Sequence, residues 1–408
     1  MIHLETVQNS DQRYRFVMAS LIMFLFFGLA LNYFAVSPVL KLILDEFPVG
    51  YGTASLLTGL VILVQLLVGI PAATLVGKYD TKAINSVGWL LIAAPVLTIF
   101  LENFWLILLS RLMIGLGFGI IGPAHVPVLM AWFKRREFII MNSSTIFVTT
   151  LGIAISTAAA APLAEFVGWR GALSLFGLTS FIGFAAWIIL AKIPQSGRES
   201  IKEEIRPRDF IKIIRSKTVL VLANMDAVAF AQYSGLTTWL PLYYFEVHGI
   251  ALIKTGLILG LMPLFAAMGI IAVGVLSFRF NRRKPFLYIS GVMVGVGGFL
   301  SVIGAGTPWM YPGLLLVGTG SWLYVPVEMT IPMELPNATP RQATLTMGFL
   351  YTYSGLGGFI APLGLGALTD LTGTYLLGFM ILSAVSWFFF VGAFFLPETG
   401  FRKKLNMS

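Results

Sequence analysis

Four ionisable side chains stand inside long apolar stretches of this chain: Arg111, His125, Asp226 and Glu328. A charged residue at the centre of a bilayer costs about 2.5–3.5 kcal/mol on insertion scales, so each of these needs a cavity, a partner or a task. Arg111 opens the run Arg111-x-x-x-Gly115-x-Gly117-x-Gly119. On a helix Arg111, Gly115, Gly119 and Gly122 fall within about 80° of one another, a side-chain-poor face that another helix can approach closely. Arg111 can there attract an anionic group of a substrate, or it can tie helix ends together. Asp226 and Glu328 have the chemistry of proton carriers, whose charge change shifts a conformational preference. The alternative is that they pair at the membrane edge with Arg215, Lys217 or Arg341. His125, between Pro123 and Pro127, either joins the proton path or packs and bonds a carbonyl.

Uncharged polar residues accompany these charges. Asp226, Tyr233 and Thr237 are spaced i, i+7, i+11, and Ser321, Tyr324 and Glu328 are spaced i, i+3, i+7, so each set shares one helix face. Asn32, Tyr33, Gln65 and Tyr351 add further hydrogen-bonding groups in apolar surroundings. As a set, Arg111, Asn32, Tyr33, Gln65, Tyr233, Thr237, Tyr324 and Tyr351 are candidates to contact a substrate, and Asp226, Glu328 and His125 to carry protons. For each uncharged member the alternative is an interhelical hydrogen bond. Bond-breaking chemistry finds no support, so an enzyme is not expected. There is no cysteine, no G-x-x-x-x-G-K-[ST] phosphate loop, no H-E-x-x-H and no G-x-S-x-G. No metal site and no cofactor are expected.

The elements that must position these residues are membrane helices. The 408 residues are 57% hydrophobic and 11% charged, against about 25% charged for a soluble domain. Twelve apolar runs are long enough to cross about 30 Å of hydrocarbon: 16–38, 53–76, 84–102, 104–131, 139–164, 171–192, 218–245, 253–277, 285–305, 309–333, 343–367 and 374–396. The domain plan is a polar tail 1–15, a six-span unit 16–192, a charged linker 193–217, a second six-span unit 218–396 and a tail 397–408. The polar start ahead of a long apolar run reads as a first spanning helix and not a removable leader.

Charge sets the orientation. Of the 27 lysines and arginines, Lys41, Arg170 and Lys254 fall on one side and Arg111 within the membrane; all others fall with the termini. That asymmetry puts both termini in the cytoplasm, in a plasma or bacterial inner membrane, and explains the net charge of +9 without nucleic acid. The halves also repeat: Ala161-Pro162-Leu163 recurs as Ala361-Pro362-Leu363, Ile193-Pro194 as Leu396-Pro397, and the basic turn at Gly77 lies 201 residues before its counterpart at Phe278. A duplicated six-helix unit in one orientation accounts for all three.

With these residues in view, the chain resembles the major facilitator superfamily over essentially its whole length. Arg111-x-x-x-Gly115-x-Gly117-x-Gly119 resembles the signature of the family's fourth helix. Pro71 to Lys82 resembles its loop between helices 2 and 3, with Gly77 where an aspartate is usual, and Glu334 followed by Arg341 resembles the acid–base pair after helix 10 of sugar porters. The resemblance implies an all-α polytopic membrane protein of twelve transmembrane helices in two six-helix bundles related by pseudo-two-fold symmetry, each bundle built from inverted three-helix repeats. It further implies a cavity lined by helices 1, 4, 7 and 10, and a cytoplasmic gate at Lys78, Lys82, Arg279, Arg282, Glu334 and Arg341. The expected function is secondary active transport of a small polar or anionic solute by alternating access, coupled to protons, by a monomer in a lipid bilayer. An uncoupled facilitator, a drug/proton antiporter or a transporter-like receptor without flux are the alternatives. Spans 4, 7 and 10 run so that Arg111 falls at a different depth from Asp226 and Glu328, which argues against a simple ion pair among them.

Overall fold

The computed structural model describes residues 9–76, 79–133, 135–193, 213–276, 282–334 and 340–399. The described chain is almost wholly helical, as a backbone in lipid must be when each N–H and C=O has to find its partner internally. We number the membrane passages α1 (Asn9–Tyr33, with an outlying piece Leu40–Glu46), α2 (Leu56–Leu75, preceded by Tyr51–Ala54), α3 (Thr81–Ile92, continued by Ala94–Phe100) and α4 (Phe104–Trp132). The next segment, Arg135–Leu190, bends at Gly168, whose φ of 70° favours glycine, into α5 (135–167) and α6 (169–190). The second half holds α7 (Lys217–Glu246), α8 (Leu252–Leu276), α9 (Lys284–Ile303), α10 (Met310–Leu323, continued by Val325–Glu328 and Ile331–Glu334), α11 (Pro340–Thr372) and α12 (Tyr375–Phe395).

Nine stretches among the described residues are long and apolar enough to cross a membrane. One of them, Ser144–Leu190, contains the Gly168 bend and counts as two arms. With α2 and α11 added, the chain is consistent with twelve passages. The starts of several helices are fixed locally. Asp80 accepts from Ala83 N at 3.0 Å, Asn103 from Trp105 N at 2.8 Å and Thr374 from Leu376 N at 3.3 Å, capping α3, α4 and α12.

The neighbour pattern of the first six helices recurs six helices later. α1 packs on the α5–α6 segment as α7 packs on α11 and α12, α2 on α4 as α8 on α10, and α3 on α4 as α9 on α10. Two seams join the halves, α2 against α11 and α5 against α8. Both are closed at the face away from the chain termini, here the far face, and part toward the terminal face. The first seam runs from Gly50–Asp370 through Gly59–Phe359 to Leu66–Gly355; beyond it, a Cβ on Gly69 or on Gly348 would meet nothing within 4 Å. The second closes where Gly256 faces Thr157 and Gly260 faces Ala158, and farther along Phe147, Met268 and Ile271 are exposed. Among the described residues, the two seams are therefore closed at the far face and part toward the terminal face.

Four helices depart from the expected runs for identifiable reasons. α1 stops at Tyr33, not at residue 38, and resumes as a 3₁₀ turn Ser37–Val39 around Pro38, which has no N–H to continue the ladder. α10 is divided near Tyr324 and again after Glu328, with Pro326 and Pro332 in the short pieces. α5 and α6 are joined through Gly168 with hardly any loop.

Candidate functional site

The break in α1 explains where Arg111 goes. Because Ser37 N turns back to Phe34 O at 3.0 Å, the last carbonyls of α1 are left to other donors. Arg111 on α4 donates Nη1–H to Asn32 O and Nη2–H to Tyr33 O, both at 2.6 Å, and Nε–H to Leu57 O of α2 at 2.8 Å. A cation at a helix C-terminus is electrostatically favoured, and the guanidinium fork suits several acceptors at once. The register is continuous: a Cβ on Gly115 would lie 2.7 Å from Val61 O and one on Gly119 2.8 Å from Gln65 O, so Arg111 occupies the next slot along α2. Its side chain is 2% exposed, and among the described residues no carboxylate forms an ion pair with it.

Asn32 is bonded between helices. Its amide donates to Gly28 O, Phe176 O and Ser180 Oγ at 2.9–3.1 Å, tying α1 to α6 on the side away from α2. Thr237 likewise donates within its own helix, to Tyr233 O at 2.7 Å.

At the level where the halves meet, aromatic rings from four helices form a continuous layer. The Tyr33 hydroxyl donates to Gln65 Oε1 at 3.1 Å, joining α1 to α2. The Tyr33 ring meets Phe118 of α4 edge-on at 5.6 Å, Phe34 meets Tyr233 of α7 at 6.1 Å, and Tyr233 meets Trp322 of α10 at 5.8 Å. The Tyr233 hydroxyl and Trp322 Nε1 are close enough to influence each other, yet neither has a partner at good hydrogen-bond geometry. Phe118 and Trp322 did not stand out in the sequence, because an aromatic residue in an apolar run is not distinctive; Trp322 adjoins the polar positions Ser321 and Tyr324, the one signal pointing to it.

The two acids lie together in the second half. Tyr324 of α10 donates its hydroxyl to Asp226 Oδ1 of α7, and Ser354 Oγ of α11 is 3.4 Å from the Asp226 carbonyl oxygen. Glu328 is 4% exposed, feels the charge of Asp226, and its Oε1 has no hydrogen-bond partner. Tyr351, half exposed, is near enough to both acids to interact with them. Among the described residues neither acid pairs with Arg215 or Lys217. His125 is placed in the first half: its Nδ1 is 3.0 Å from Ile121 O and its ring packs edge-on against Phe26 of α1 at 5.0 Å.

Of the expected gate residues, Lys82, Arg282 and Glu334 have described side chains. Lys78 and Arg279 lie outside the described residues, as does the side chain of Arg341. Lys82 donates to Ile188 O of α6 at 2.9 Å, and Arg282 is exposed. Glu334 pairs with Arg283 at 2.7 Å and accepts from Thr399 at 2.8 Å. The short pieces at the end of α10 bring Glu334 to the start of α9, a proximity that spacing along the chain does not reveal. Among the described residues, no group of His, Cys, Asp and Glu could hold a metal ion.

The sequence model of the Major Facilitator Superfamily matches residues 22–362. The chain belongs to this superfamily. Among its relatives in the superfamily is the nitrite extrusion protein of Bacillus subtilis, 23% identical over 369 residues, which cover 87% of this chain and 88% of that one. The hexuronate transporter of the same organism is 23% identical over 375 residues, covering 85% and 83%. A bacterial homologue of the human lysosomal transporter Spinster, solved inward-facing and unoccupied, shares the fold at a TM-score of 0.76 and 15% identity, over 96% of this chain and 97% of that one. The protein is thus an all-α superfamily member and a membrane transport protein, not an enzyme.

Proposed function

We propose that the protein carries a small anion, a carboxylate or an inorganic oxyanion, across the membrane by alternating access, driven by protons that Asp226 and Glu328 take up and release. One observation carries this reading. Among the described residues, each half buries charge of one sign with no counter-charge in ion-pair reach: Arg111 held by carbonyl dipoles in the first half, Asp226 and Glu328 in the second. Carbonyls hydrogen-bond a guanidinium without cancelling its charge. At an effective dielectric of ~20, one unit charge still contributes about 2 kcal/mol at ~8 Å, enough to bias a site toward anions. Tyr33 links the two levels, giving its carbonyl to Arg111 and its hydroxyl to Gln65. In this reading Tyr33, Gln65, Tyr233 and Trp322 contact the anion and Arg111 supplies the field behind them. The names of the nitrite and hexuronate relatives support an anionic substrate. The basic terminal face supports cytoplasmic termini in a plasma or inner membrane.

The test is uptake into proteoliposomes of nitrite and of glucuronate, each with and without an imposed pH gradient. Accumulation of one of them that depends on the gradient is expected. Flux indifferent to the gradient would remove the proton coupling, and uptake of neutral sugars in preference to both anions would remove the anion assignment.

A further inference from the structure

At the far face one residue of the first half is seated in a socket of the second. Tyr51, in the turn that leads into α2, meets five residues there. Its backbone N–H and that of Gly52 donate to Oδ1 and Oδ2 of Asp370 at the end of α11, each at 2.8 Å. Its carbonyl oxygen faces Gly366, where a Cβ would lie only 2.7 Å away. Its ring rests on Trp239 of α7 at 5.7 Å and on Tyr375 of α12 at 5.6 Å. Its hydroxyl is 3.3 Å from Glu246 Oε2, which also accepts from Tyr375 at 2.6 Å; Glu246 Oε1 lies 3.8 Å from Lys41 of the first half. Gly50 completes the fit, since a Cβ there would meet Asp370 Oδ2 at 2.9 Å.

The terminal face is built differently. Its described ion pairs stay within one half: Arg15 with Glu137 in the first, Arg283 with Glu334 in the second. Hydrogen bonds from backbone N–H groups to a carboxylate are short-range and directional, so they are made in full or lost when the seam parts. A contact of this kind, present at the far face and, among the described residues, not at the terminal one, weights a two-state equilibrium toward the state that makes it.

We propose that the Tyr51 socket, with Asp370 as its main acceptor, is the latch that holds the far face closed, and that its release sets how often the transporter opens to that side. The proposal rests on the alternating-access part of the function proposed above, but not on the identity of the anion or on the proton coupling.

The chain has no cysteine, so spin labels can be confined to two introduced ones. Phe166→Cys at the far end of α5 and Ile303→Cys at the far end of α9 are both exposed positions on opposite halves. Their distance distribution, measured by double electron–electron resonance without added substrate, reads the far-face opening directly. Asp370→Ala is expected to raise the ratio of open to closed populations by about tenfold or more, since two charge-assisted bonds are lost. Gly366→Ala, which displaces the Tyr51 carbonyl without touching a charge, should move the ratio the same way, and Tyr51→Phe should move it less. An unchanged distribution in folded Gly366→Ala and Asp370→Ala overturns the latch. If Asp370→Ala fails to fold, Gly366→Ala decides alone. Because no substrate or gradient enters the measurement, its failure is separable from failure of the anion and proton assignments.

Discussion

Arg111 and Glu328 are both buried charges in a membrane protein, one in each half, and they are treated in opposite ways. Arg111 uses three of its N–H groups on three carbonyls from two helices, at 2.6–2.8 Å. Glu328 leaves one carboxyl oxygen with no partner. A buried charge whose every nitrogen is bonded braces what surrounds it, whereas one with an unpartnered oxygen is free to change its state at low structural cost. The comparison separates two tasks that composition alone would merge under "ionisable residue in hydrocarbon". Arg111 holds α1, α2 and α4 in register, and its field is a by-product of that brace. The acid pair lies where three helices of the second half, α7, α10 and α11, meet, with Tyr324 between the two.

The sharpest way to break the comparison is Arg111→Ala. Two carbonyls at the interruption of α1 and one of α2 would lose charge-assisted bonds, for a loss of about 3 kcal/mol or more of stability together with transport. A thermal-unfolding midpoint equal to the parent's would show that Arg111 is no brace. Arg111→Lys keeps the charge but presents one ammonium to acceptors arranged for a fork, so it should restore only part of the stability.

Glu328→Gln comes next. Because the side chain keeps its shape and already lacks a partner at Oε1, stability should change by less than about 1 kcal/mol. Uptake should lose its dependence on the pH gradient. A variant that unfolds easily would place Glu328 with Arg111 among the structural charges.

The smallest effect is expected from Tyr33→Phe. It removes the hydroxyl bonded to Gln65 and leaves the backbone carbonyl on Arg111 untouched, so the midpoint should hardly move while KM for the anion rises by about fivefold, the equivalent of one hydrogen bond. An unchanged KM would remove Tyr33 from the substrate contacts.

Much of this was legible in the sequence, and the part that was not has a common cause. Apolar runs of about 20 residues reveal membrane passages because the bilayer fixes their length, and offsets of 200 to 203 reveal the repeat. Ionisable residues stand out for the same reason, so Arg111, Asp226 and Glu328 were visible as special. Direction around the helix was harder to see. Asn32 and Tyr33 are adjacent, yet one amide turns to α6 and the other hydroxyl to α2. Nor could spacing show that the ending of α1 at Tyr33 would supply Arg111 with acceptors, since that depends on a turn formed by Ser37 and Pro38. Glu334 found Arg283 because short helical pieces fold the chain back, and Trp322 joined the central layer through packing that no pattern in an aromatic-rich helix announces.

The glycines of α4 have a mechanical consequence. On one side Gly115 and Gly119 meet the carbonyls of Val61 and Gln65, and on the other Gly117 faces Gly88 O of α3, where a Cβ would lie 2.5 Å away. At these points backbone approaches backbone, with only the short side chains of Val64, Val68 and Ile92 alongside. Helices α2, α3 and α4 are therefore laminated into a plate with little compliant material between its layers. In the alternating-access reading, a torque at the Tyr51 end of α2 would be passed through this plate and not absorbed between its helices.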